Sequence, residues 1–274
     1  YEALAFTSPY FFQFATNFHL DVQGWERPVA AILPRHGEPF MLMCELSTSH
    51  LRFAEERQQL WCSDITFYAE HPRVTNRTWL VGQWADMAAS VLKDKGLHRA
   101  RIGCDVIGPM AKPAGLLPGL TVETALKPMR EMRLVKHPEE LALMRQAADF
   151  SDWIQDRYLE NIRPGRVVQE LDASMAALAY EEAAKRFPGS HLEMLRTWTL
   201  SGPASASPHG NGAPTGARIE EGHGLVNIVI PRLNGMVIEN ERTMFCGKPS
   251  PEQERAFHAA LGANEAAIEA MVTG

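Results

Sequence analysis

In the second half of the chain, two long helical patterns are followed by three β-rich segments, and this order constrains the fold more than any other feature. Pro138 stands where a first helical position is expected, with Glu139 and Glu140 behind it. Leu143, Ala147, Phe150, Ile154 and Tyr158 then recur at helical spacing. The stretch "RPG" at Arg163 to Gly165 ends that helix, and "VVQELDASMAALAYEEAAKRFPG" makes a second one, stopped by Pro188 and Gly189. "LEMLRTWTLSG", "GLVNIVIPRL" and "MVIENERTMFCG" read as strands, and another helix begins near Pro251. Helices first and strands second imply an α+β domain in which helices cover a curved antiparallel sheet.

The first half follows a different rule. Short β-like runs, "VAAIL" and "PFMLM", alternate with the helical stretches "STSHLRFAEERQ" and "GQWADMAASVLKDKG", the latter closed by Gly96, and the strand "RARIGCDVI" follows. Such alternation predicts a layered α/β domain. The Pro- and Gly-rich segment "PMAKPAGLLPGL" reads as the connection, so the boundary is placed near Pro128, giving domains 1–128 and 129–274. A chain of 274 residues, 45% of them hydrophobic, can bury two cores of that size.

Charge and cysteine usage exclude several classes of function. A net charge of -6 with acids and bases interspersed offers no basic stripe for nucleic acid. No run approaches the roughly 18 apolar residues of a membrane span. Cys44, Cys62, Cys104 and Cys246 lie far apart and form no C-x-x-C pair, which suits reduced, buried thiols in a cytoplasmic protein. The sequence begins at Tyr1 inside an apolar run and stops at Gly274 partway through a helical pattern, so it reads as a fragment.

Two places carry chemistry. The loop "SGPASASPHGNGAPTG" holds one imidazole, His209, among small residues that leave room for a ligand. A histidine there can act as general acid or base, because its ordinary pKa lies near neutrality, although most loop histidines are simply solvated. The second place is "IENERT", where alternation puts Glu239 and Glu241 on one side and Asn240 and Arg242 on the other. Those glutamates suit either a solvated edge or a site.

Order and spacing of these segments resemble the creatinase and prolidase family, peptidase family M24. The segments are "MREMRLVKHPEELALMRQAADFSD", "LEMLRTWTLSG", a loop histidine and "ERTMFCGKPSPEQ". The resemblance implies a creatinase-type N-terminal α/β domain followed by a pita-bread catalytic domain, truncated here at its C-terminus. Metallopeptidases of that family hold two metal ions with two Asp, one His and two Glu. By register with "ERT", the first Asp position falls on Ile228 and the second on Glu239, so the dinuclear site looks broken.

Creatinase, which works without metal, resembles the chain in this defect. Its Thr-Trp-Thr strand, loop His and Glu-Arg-Thr match Thr197 to Thr199, His209, and Glu241 to Thr243. Its substrate-carboxylate arginine, donated across the dimer, matches Arg27 of "WERP", with Trp25 at an aromatic position before it. Two aromatic residues of creatinase become Met236 and Val237, which argues against creatine itself. The resemblance therefore implies a homodimeric hydrolase, free of metal cofactor, that cleaves a C–N bond of a small carboxylate-bearing nitrogen compound. His209 and Glu241 would be catalytic, and Arg27, Trp25 and Glu239 would bind substrate. The alternatives are an Xaa-Pro dipeptidase or aminopeptidase using Mn, Zn or Co, with Glu239 as one surviving ligand, and an inactive binding protein on the same scaffold.

Overall fold

The computed structural model describes residues 1–20, 26–69, 81–207, 209–210 and 212–272. The chain divides into two compact units, Tyr1–Lys136 and His137–Gly274.

The first unit contains β1 (Ala3–Phe6), α1 (Pro9–Thr16), β2 (Ala30–Pro34), β3 (Phe40–Cys44), α2 (Thr48–Glu56), β4 (Ile65–Tyr68), α3 (Val81–Asp94), β5 (Arg101–Cys104), α4 (Gly108–Leu116), β6 (Thr121–Thr124) and α5 (Leu126–Met132). Its six described strands form a mixed sheet in the order β4-β3-β2-β1-β5-β6. All five residues of β3 are buried, because alternate side chains enter different cores. Phe40, Leu42 and Cys44 pack with Trp84 and Leu92 of α3. Met41 and Met43 pack with Phe12 of α1, Leu51 of α2 and Met129 of α5. Helices therefore cover both faces, which is the layered arrangement expected from the alternation of elements.

Two features of this unit depart from the sequence reading. "GPMAKPAGL" is helix α4 rather than a linker, with Pro109 in its first turn and Pro113 inside it. Pro113 has no N–H to offer the carbonyl four residues back, which is that of Pro109. The indole Nε1 of buried Trp84 donates to that oxygen instead, at 2.6 Å, so the backbone acceptor left by the proline is used. The division between units also lies at Lys136/His137, beyond Pro128, because Met129 on α5 is fully buried in the first unit's core.

The second unit contains α6 (Pro138–Asn161), α7 (Val168–Arg186), β7 (Leu192–Ser201), β8 (Gly224–Leu233), β9 (Met236–Val237), β10 (Asn240–Phe245) and α8 (Pro251–Glu269). Glu140 accepts from the backbone N–H of His137 at 2.9 Å and closes a capping box at the start of α6. The sheet is antiparallel in the order β10-β8-β7, with β9 also paired to β8. One face packs on α6 and α7 through Phe150, Ile154, Leu171, Met175, Val229 and Met244. "MVIENERTMF" is thus two strands, broken at Ile238 and Glu239.

Candidate active site

The face of the second unit's sheet turned away from α6 and α7 forms the floor of a cleft of about 430 Å3. Its register is simple. Glu241 of β10 pairs with Ile228 of β8, which pairs with Trp198 of β7. The next row outward continues from the pair Asn240↔Val229, so Glu239 comes alongside Ile230, which pairs with Arg196. All six of these side chains line the cleft, and Val226 and Leu200 extend its apolar floor.

A bulge decides which residues of β7 face this space. The pairing to β8 shifts between Met194 and Arg196, inserting Leu195. Before the shift Met194 packs against the helical core. After it, Arg196, Trp198 and Leu200 share the cleft face, while Thr199 faces the helices and donates through Oγ1 to Asp172 Oδ1 of α7 at 2.6 Å.

His209 reaches the same cleft through its loop. Two glycines let that loop lie flat on the floor. A Cβ on Gly210 would come within 2.4 Å of Leu200 Cδ1, and one on Gly212, where φ is +86°, within 2.6 Å of the Trp198 ring nitrogen. His209 itself is exposed, and Ser207 Oγ donates to its carbonyl at 3.1 Å.

Behind the cleft lies a buried polar layer that fixes the strands. Asp172 accepts from the Tyr158 hydroxyl at 2.9 Å and from the backbone N–H of Thr199 at 3.1 Å, while Asn227 Nδ2 donates to Thr199 Oγ1 at 2.9 Å. Gln155 Nε2 donates to the carbonyls of Asn227 and Asn240, on neighbouring strands. Burial pushes the Asp172 carboxyl above the usual carboxylate range, only partly offset by its bonds from Thr199 and Tyr158. Burial, and then the neighbouring Asp172, push the Tyr158 hydroxyl up.

The structure brings His209, Glu239 and Glu241 to one cleft. Arg27 belongs to the other unit, where its Nη1 lies 2.8 Å from Glu26 Oε1. Trp25 lies outside the described residues. Arg242 pairs with Asp152 of the helical layer at 3.0 Å, on the surface, with about half of its side chain exposed. The sequence reading assigns no role to Arg196 or Trp198, because the bulge that turns them to the cleft leaves no mark in the alternation of residues.

Residues 142–274 match the family model described as metallopeptidase family M24. The second unit belongs to that family. The chain is 24% identical over 266 residues to the "Putative dipeptidase YkvY" of Bacillus subtilis, spanning 95% of this chain and 66% of that relative. Its fold is that of a recombinant prolidase from Thermococcus sibiricus, with a TM-score of 0.78 and 19% identity over all of this chain and 69% of that one. The N-terminal domain of a FACT complex subunit from chickpea shares the fold too, with a TM-score of 0.70 at 12% identity, covering all of this chain and 67% of that one. One fold thus appears in proteins with very different names, and a shared fold does not fix a function.

The family's designation raises the question of metal, and the cleft residues do not fit a dinuclear centre. Two divalent ions held close together need several anionic oxygens. Ile228 puts hydrocarbon directly beside Glu241, and Val226 and Ile230 flank it on the same floor. The two nearby amides cannot substitute. Asn227 and Asn240 are buried on the helical side, where their Nδ2 atoms are held by Thr199 and by Ser151 and Asp152. Among the described residues, His209, Glu239 and Glu241 do not bring their ligand atoms together within 4.8 Å of one another.

Proposed function

We propose that this chain is a hydrolase that cleaves a C–N bond in a small carboxylate-bearing nitrogen compound without a dinuclear metal centre. One observation carries the reading. An imidazole and two glutamates share a cleft whose floor is aliphatic where the M24 pattern calls for a metal-bridging carboxylate.

The chemistry follows from these groups. His209 takes a proton from water as the oxygen attacks the carbon, and passes it to the departing nitrogen as the C–N bond breaks. The water's OH stays on the carbon, its proton leaves on the amine, and His209 returns to its starting state. Glu241, on a rigid strand of the same cleft, stabilises positive charge on the substrate. Glu239 extends that negative region along the same edge.

The relatives' names as dipeptidases, together with the family's description as metallopeptidases, favour a second reading, in which the bond is the peptide bond of a dipeptide and a metal ion assists. Metal chelation separates the two, because the first reading predicts activity that survives it. His209→Ala tests the assignment of the proton carrier.

A further inference from the structure

We propose that Arg196 is the anion anchor of this cleft and that the ligand it selects is a small zwitterion, held by its carboxylate at Arg196 and by its cationic nitrogen between Glu239 and Glu241. The inference rests on the reading of the cleft as a substrate site and names the class of substrate.

Arg196 stands in an unusual state for a cleft cation. Its guanidinium lies over the Trp198 ring, 4.4 Å from the centroid, and among the described residues no carboxylate is within ion-pair distance of it. Stacking fixes the plane of the guanidinium while leaving its N–H edge able to donate two parallel hydrogen bonds. That is a fork prepared for a carboxylate and not yet using one.

The opposite charges stand across the floor. Arg196, Ile230 and Glu239 lie on successive strands of one row, so the strands of the cation and the glutamate are two strand spacings apart, about 10 Å. Glu241 is two residues further along the same edge, about 7 Å. Both carboxylates therefore lie across from the guanidinium rather than beside it, with Ile228 and Ile230 between. A ligand with an anionic end, a short apolar middle and a cationic end meets every part of this surface. A ligand lacking either charge leaves one side of the cleft unanswered, and a dianion would face the two glutamates.

The probes are the dipeptide Ala-Pro, its C-terminal amide and its N-acetyl derivative. Their binding is measured by calorimetry in the His209→Ala protein, where turnover is suppressed. Ala-Pro is expected to bind at least tenfold more tightly than either derivative. Arg196→Met is expected to abolish the preference over the amide while keeping the preference over the acetyl form, and Arg196→Lys to restore part of it. Equal affinity for Ala-Pro and its amide, no binding of Ala-Pro, or a preference that survives Arg196→Met overturns the proposal. Release of the nitrogen-bearing product from Ala-Pro and from small guanidino acids by the parent protein is followed in parallel. Charge-selective binding without release contradicts the hydrolase reading alone, whereas release without any dependence on Arg196 contradicts this proposal alone.

Discussion

Ile228 pairs directly with Glu241 across β8 and β10. The residue beside the cleft's central carboxylate is therefore an aliphatic chain, 9% exposed. Ile228→Asp should give the protein an affinity for Mn2+ at least tenfold above that of the parent, because it adds a second hard oxygen ligand beside Glu241. It should also lower stability by about 1–2 kcal/mol, since like charges then face each other and apolar burial is lost. Calorimetric titration with Mn2+ checks this, and identical binding by both proteins would show that Ile228 does not govern metal affinity in this cleft.

His209→Ala should reduce turnover by a factor on the order of 10² to 10⁴, the range for a lost general acid or base. The thermal midpoint should hardly change, because the side chain is exposed and the loop's bond from Ser207 goes to the backbone of residue 209. A variant that remains fully active would remove His209 from the mechanism.

Asp172 makes a pH-dependent prediction. Its carboxyl is raised by burial, so the folded protein holds this proton to higher pH than the unfolded chain does. That contribution to stability is complete below the ordinary Asp pKa and is lost as pH rises through the folded value. Asp172→Asn removes the titration and leaves a buried donor unpaired near the Thr199 N–H, costing roughly 1–3 kcal/mol. Urea unfolding at several acidic pH values should show the penalty of Asp172→Asn largest at the acid end and shrinking toward neutrality. A penalty that grows with pH would mean the folded carboxyl is not raised.

Arg27 gives a prediction about assembly. If it completes the site of a second subunit, mixing Arg27→Ala with His209→Ala protein should recover part of the activity, because one site of each mixed dimer then has both residues. Recovery to no more than the activity of the separate variants would place Arg27 outside the reaction or within its own subunit.

How far the sequence could be read depended on where the deciding physics lay. The α6 core positions Ala147, Phe150, Ile154 and Tyr158 are all fully buried, since a long amphipathic helix writes its buried face into its spacing. The shared side of Glu239 and Glu241 followed from strand alternation in the same way. Helix α4 was hidden because Pro113 argues against a helix locally, and only a donor from Trp84, distant in sequence, satisfies the carbonyl it leaves. Arg196 was hidden, and the facing of Trp198 within the matched Thr-Trp-Thr went unread, because the inserted Leu195 changes the facing of every later residue on β7. Gly210 and Gly212 are visible as residues, but their closeness to Leu200 and Trp198 is a tertiary fact.

The cleft is expected to work without a pair of metal ions. The direct measurement is the rate of C–N hydrolysis, on dipeptides and on small guanidino acids, before and after prolonged dialysis against a strong chelator, with elemental analysis of both samples. An unchanged rate and less than stoichiometric transition metal are expected throughout. A rate that falls on chelation and returns when Mn2+ or Zn2+ is added would contradict that expectation.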